Sequence, residues 1–175
     1  YMLELAPAIL NIISATNPAD PCTNPLKPLA ESLPEFANLA ALDAKGAILC
    51  STVDGAEGST AASPSAWFRE LSAGNSYCVQ SSAYYSPISK QWVIASARRR
   101  SNADGSFAGA YALGIPVNSL VSQLERTGLP QDTEVALLDA TGQVFASKHW
   151  SMLEGDTMKR VAEGSSRFTE LRSIS

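Results

Sequence analysis

Residues 41–51 read ALDAKGAILCS, and residues 137–147 read LLDATGQVFAS. In each, an apolar run meets an Asp, a short turn containing Gly, and a second apolar run. Leu42, Asp43, Ala44, Gly46 and Ser51 recur as Leu138, Asp139, Ala140, Gly142 and Ser147. Glycine supplies the positive φ that a tight turn needs, and an Asp before it accepts hydrogen bonds from nearby backbone N–H groups. The repeat predicts two β-hairpins that open two consecutive modules of similar build. Asp43 and Asp139 are turn acceptors in this reading rather than paired catalytic carboxylates.

Upstream of the first hairpin, Leu3, Leu5, Ile9, Leu10, Ile12 and Ile13 follow a mostly helical spacing, with Pro7 as a kink or a first-turn residue. TNPADPCTNP reads as a loop, and LKPLAESLPEFANL as a second short helix ending near Pro34. Downstream, the Gly-rich VDGAEGSTAASPS is a loop and AWFRELSAG a short helix stopped by Gly74. YCVQSSAYYSPISKQWVIASARRR gives strand-like runs broken around SPISK. SNADGS then turns a hairpin into FAGAYALGIPV. NSLVSQLERTG follows as an amphipathic helix from Asn118 to Gly128. This order predicts an α+β fold, an antiparallel sheet with helices on one side. It divides the chain into a helical stalk over 1–38, a sheet module over 39–128, and the opening part of a second module over 129–175.

The chain has 175 residues, 45% hydrophobic and 17% charged, with a formal net charge of −4. That apolar share suffices for a real core. The mild acidity argues against nucleic acid, whose binders carry a basic face. Arg98, Arg99 and Arg100 are read as a solvated strand terminus. No run of 18 apolar residues appears, so no membrane span is expected; the sequence begins mid-pattern at Tyr1 with no starting Met and no basic leader, which points to a segment of a longer protein. GxSxG, P-loop and HExxH patterns are absent, and His149 is the one imidazole. Cys22, Cys50 and Cys78 form no CxxC pair, so no metal or cofactor is expected. An odd count leaves either one bridge and a free thiol or three reduced thiols.

LPEFANLAALDAKGAILCS, SAWFRELSAG, SPISKQWVIASA, GAYALGIPVNSLVSQLE and LPQDTEVALLDATGQVFAS, in this order, resemble the extracytoplasmic Cache sensor region of bacterial sensor histidine kinases. The resemblance is to the double PAS-like type, and within it to kinases of the HWE class. It implies a PAS-like sheet behind a long N-terminal helix, a periplasmic location, and a homodimer along the N-terminal helices. It also implies a cytoplasmic response regulator as partner of the parent kinase. Cys22 and Cys50 match positions that hold cysteines in those sensors, which implies a bridge between them. Ligand-binding members carry Asp and Arg just before the Trp–Phe pair, where this chain has Pro64 and Ser65.

Trp67, Tyr84, Tyr85 and Arg98 are the candidate ligand-binding residues. The resemblance puts Trp67 at a pocket beneath the loop, while Phe68 is read as core. Tyr84, Tyr85 and Arg98 are polar groups projecting from the central strands, and Arg98 is suited to an anionic ligand. Strand alternation groups Arg98 with Trp92, Ile94 and Ser96. The function implied is small-molecule sensing by a non-catalytic domain. Its rivals are a periplasmic protein-binding module, a redox sensor through the cysteines, and a Cache domain of a chemoreceptor or cyclic-dinucleotide enzyme.

Overall fold

Asp43 Oδ1 accepts from the N–H groups of Lys45 and Ala47, both at 2.8 Å, and Gly46 takes φ +83°. These bonds close the first hairpin between β1 (Asn38–Leu42) and β2 (Ile48–Ser51). The structure, a computed structural model, describes residues 2–16, 21–22, 28–29, 32–126, 128, 136–138 and 144–147. Asp139 and His149 lie outside them. The remaining elements are α1 (Met2–Thr16), α2 (Ala66–Ala73), β3 (Cys78–Gln80), β4 (Tyr84–Ser86), β5 (Gln91–Ser101), β6 (Phe107–Pro116), α3 (Val117–Glu125), β7 (Ala136–Leu138) and β8 (Val144–Ser147). The chain divides into two units, 1–119 and 120–175.

In the first unit the strands run antiparallel in the order β2-β1-β6-β5-β3, with β4 also paired to β5. SNADGS makes the β5–β6 turn. Asn102 and Ser106 pair across it, Gly105 takes φ +82°, and Ser106 donates to Asp104 through both N–H and Oγ. Those bonds hold the exposed Asp104 carboxyl below its ordinary value.

Alternation sends each strand's residues to two faces, and helices cover both. Trp67, Phe68 and Leu71 of α2 pack on Ala40, Leu42, Ala95, Ala97, Ala110 and Ala112. α1 packs against β5 and β6, burying Ala6, Ile9, Leu10 and Ile13 on the face that carries Ile94, Tyr111, Leu113 and Ile115. The one-sided arrangement expected from element order is therefore corrected: the α2 and α1 faces of the sheet are both apolar, and each demands a cover. Asn118, expected as a cap, lies inside α3, which starts at Val117.

Pro7 sits inside α1 and has no N–H to give the carbonyl four residues back, that of Leu3. Gln80 Nε2 donates to Leu3 O instead, filling the place from β3. Gln80→Ala is therefore expected to cost about 1 kcal/mol. In a Pro7→Ala background, where the helix supplies its own donor, the cost should shrink; a double-mutant cycle in urea checks this. Equal losses in both backgrounds would refute the substitution of one donor for the other.

The second hairpin repeats the first in detail. Ala40 pairs with Ser51, Ala41 with Cys50 and Leu42 with Ile48, the register slipping between Ala41 and Leu42. Ala136 pairs with Ser147, Leu137 with Ala146 and Leu138 with Val144, slipping at the equivalent step. The two hairpins thus share the same irregularity at the same place, as their common Asp–Gly turn pattern leads one to expect.

Candidate functional site

A cavity of about 170 Å³ lies between the α2 face of the sheet, the loop before α2 and the β4–β5 turn. It exists because its floor is small: Ala40, Ala95, Ala112 and Gly114 stand where larger side chains would fill the space. Leu42, Ile48, Ala61, Ala62 and Ile88 add apolar walls. Trp67 and Tyr84 are its aromatic residues of consequence, and Asn38, Ser65 and Ser86 complete the polar part.

Local structure sets the Trp67 position. Ser65 caps α2, its Oγ accepting from Phe68 N–H at 3.4 Å and donating to Ala62 O at 2.6 Å. Gly74 ends the helix at φ +79°. Between these stops Trp67 lines the cavity, while Phe68 turns into the core against Phe107 at 5.6 Å between ring centroids. The two neighbours meet edge to face at 5.8 Å.

Trp67 is only 4% exposed, and its Nε1 is buried without a partner in full hydrogen-bond geometry. Burial pushes the Tyr84 phenol above its ordinary value, and the Trp67 side chain, acting on the phenol as a hydrogen-bond donor, opposes the rise. A raised phenol has a consequence for stability. Above about pH 10, the unfolded chain releases the Tyr84 proton before the folded one, so stability is present below that pH and is lost as pH climbs further. Tyr84→Phe is expected to flatten this alkaline loss, read as urea midpoints between pH 8 and 11. An unchanged slope in the variant would show that Tyr84 is not the group responsible.

The sequence candidates separate by strand parity. Tyr84 pairs with Val93 and lines the cavity. Tyr85 pairs with Trp92; their rings meet at 6.3 Å, and both are 55% exposed, so Tyr85 reaches only the cavity rim. Arg98 is not brought to the cavity. It shares the α1 face with Ile94 and Ser96, and its Nη1 donates to Asn11 Oδ1 of α1 and to Cys78 Sγ at 3.3 Å. An even-numbered residue of β5 cannot share a face with Ala95, so Arg98 lies on the side of the sheet away from this cavity.

Nor are the three arginines a solvated terminus. Arg99 donates to Leu71 O at the end of α2 and to Gly105 O, with its guanidinium 4.9 Å from the Phe107 ring. Arg100 donates to Leu42 O at 3.1 Å and lies over Tyr111. Each clamps a different element to β5.

Cys22 and Cys50 form a disulfide, with Cα atoms 5.8 Å apart, and Cys78 is an exposed free thiol. The bridge fastens the segment after α1 to β2, the strand that carries Ile48 into the cavity wall.

No protein-family model matches the chain, and no curated protein sequence does. Solved structures do. The extracellular domain of the histidine kinase rpHK1S-Z16 superposes with a TM-score of 0.70 at 23% identity, over 90% of this chain and 66% of that one. The ligand-binding domain of the amino acid chemoreceptor PctC from Pseudomonas aeruginosa, in complex with GABA, gives 0.69 at 15% identity over 98% and 79%. The sensor domain of the histidine kinase DctB from V. cholerae gives 0.57 at 18% identity over 79% and 52%. The chain thus spans between half and four fifths of these domains. It has the α+β fold of Cache-like extracellular sensor and ligand-binding domains.

Proposed function

We propose that this chain is the extracytoplasmic sensing part of a membrane-bound histidine kinase, not itself catalytic, that takes a small molecule between Trp67, Tyr84 and the alanine floor. The observation that carries the reading is the cavity: an apolar, small-floored space beneath a helix, in a fold shared with sensor domains. Dimerisation along α1 and a cytoplasmic response regulator belong to the same proposal, as do a periplasmic setting and a second PAS-like module beginning at the β7–β8 hairpin. β5 offers a route to output. Its Ala95 lines the cavity, while Arg98 on its other face holds α1 through Asn11, and Gln80 of neighbouring β3 holds α1 through Leu3 O. A ligand shifts the α1 equilibrium only by as much as it prefers one packing over the other.

Thermal-shift screening of a small-metabolite panel tests the reading. A ligand at a hundred times its Kd stabilises by about 2.7 kcal/mol, which in a chain of this size raises Tm by roughly 5–10 °C. Ala112→Leu should abolish that rise by filling the floor. A panel without a single hit, or a hit indifferent to Ala112→Leu, would remove the small-molecule site. The exposed Tyr85–Trp92 pair supports the second reading, a protein-binding surface. The likeness to PctC fits a chemoreceptor parent equally well, and finding a kinase or a chemoreceptor signalling domain on the same polypeptide would decide between the two.

A further inference from the structure

Gly114 of β6 pairs on one side with Asn38 of β1 and on the other with Ala95 of β5. Its φ is not left-handed, so the backbone there would accept any residue, and a glycine inside a strand costs stability. The Asn38 side chain is what requires it. A Cβ at position 114 would overlap Asn38 Oδ1 and lie 3.5 Å from its Cγ. The Asn38 carboxamide therefore lies across the glycine, on the face that carries Ala40, Ala95 and Ala112, and lines the cavity. Among the described residues nothing hydrogen-bonds this carboxamide. The residue is half-buried, and its polar atoms, unlike the sealed Trp67 Nε1 and Ser89 Oγ, retain accessible surface. The serines and Tyr84 of the lining already have partners. Ser65 Oγ bonds Ala62 O and Phe68 N–H, Ser86 Oγ accepts from Ser89 N–H, and the Tyr84 phenol takes the Trp67 side chain.

A carboxamide presents a donor and an acceptor side by side. Two bonds to it need the complementary order, an acceptor beside a donor, which is the edge of another amide. A carboxylate sets two acceptors there and an ammonium only donors, so each meets one atom of its own kind. We infer that Asn38 is the recognition residue of this cavity, selecting a compact molecule with an amide edge, a lactam or a primary carboxamide. The inference rests on the small-molecule reading above and names the class of ligand. At about 170 Å³ the space is slightly larger than a cavity of roughly 150 Å³ that holds benzene, so a single six-membered ring is the right scale.

The test uses the 175-residue chain and rings of one size. δ-Valerolactam has the full edge, while cyclohexanone and N-methyl-δ-valerolactam keep only the acceptor. Binding is followed by the backbone amide resonances of Ala95 and Ala112 and by the Asn38 side-chain NH2 pair, assigned by its loss in Asn38→Leu. The lactam is expected to bind about tenfold more tightly than either acceptor-only ring and to move the NH2 pair downfield in a saturable manner. Asn38→Leu, close in size, should erase the lactam's advantage over the ketone. Gly114→Ala keeps the carboxamide but pushes it aside, and should shrink the same advantage, so the test stands even if one variant folds poorly. If the rings bind alike in the unmodified protein, the amide class is overturned while the cavity stands as a binding site. If the lactam's advantage survives Asn38→Leu, the assignment of Asn38 is overturned. If no ring moves the Ala95 or Ala112 resonances, the small-molecule reading itself fails and this inference goes with it.

Discussion

Gly109→Ala is expected to cost about 3–5 kcal/mol of folding stability, enough to leave the domain partly unfolded at 37 °C. Gly109 sits in β6 at φ +124°, a region that side chains of L-residues rarely enter. A Cβ there would lie 2.0 Å from Leu42 O and 2.8 Å from the Asp43 carbonyl carbon, both backbone atoms of the edge where β1 leaves the sheet. The neighbouring chain has no flexible side chain to swing aside, so relief requires moving β1 away from β6. That displacement would also pull Leu42 O from Arg100, which pairs with Gly109 across the sheet and reaches over it to that carbonyl. Gly105→Ala is the matched control. Its φ is similarly positive at +82°, yet nothing lies within 4 Å of the added Cβ. Its loss should stay near 1 kcal/mol, the cost of the backbone angle alone. Urea midpoints with unchanged m-values measure both. If the two variants lose the same amount, the close crossing of β6 over β1 is wrong, and with it the clamp formed by Arg100.

Much of this architecture is legible from local pattern. The Asp–Gly turns locate both hairpins because a turn's chemistry is carried by residues adjacent in sequence, and the alternation in WVIASARRR assigns Arg98 to the face of Ile94 without coordinates. Alternation does not say which face receives α1 and which holds a cavity. That depends on where two helices dock, and α1 and α2 are each too short to declare it. The sheet's small side is different: Ala95 and Ala97 in β5 and Ala110 and Ala112 in β6 share one face, and such a stripe of alanines under a helix carrying Trp is a readable sign of unfilled space. The arginine triplet was not readable, because its acceptors are backbone carbonyls. Leu42, Leu71 and Gly105 carry no sequence mark showing that their oxygens lie within reach of β5. Gln80 is hidden for the same reason, although Pro7 announces that Leu3 O needs a donor from elsewhere.

Removing the Cys22–Cys50 bridge is the second change with a large expected effect, about 3.5 kcal/mol. The closed loop spans a sequence separation of 28, and cross-linking a loop of that size withdraws freedom from the unfolded chain worth about that much. The double substitution Cys22→Ser/Cys50→Ser should lower the urea midpoint accordingly, and reduction of the unmodified protein should lower it by a similar amount. Cys78→Ser should change little, because Cys78 is exposed and gives only its Sγ contact to Arg98. The effect on the site should exceed what a global loss of stability explains. Cys50 stands two residues from Ile48, which walls the cavity and pairs with Leu42 of the same lining, so freeing β2 loosens two walls at once. Ligand affinity, measured where the reduced protein is still folded, should therefore fall in the double variant. Alkylation of the native protein followed by mass spectrometry should find a single reactive thiol, at Cys78. Three reactive thiols in protein prepared under oxidising conditions would contradict the bridge. They would also weaken the extracytoplasmic assignment, since a structural disulfide persists where the surroundings are oxidising.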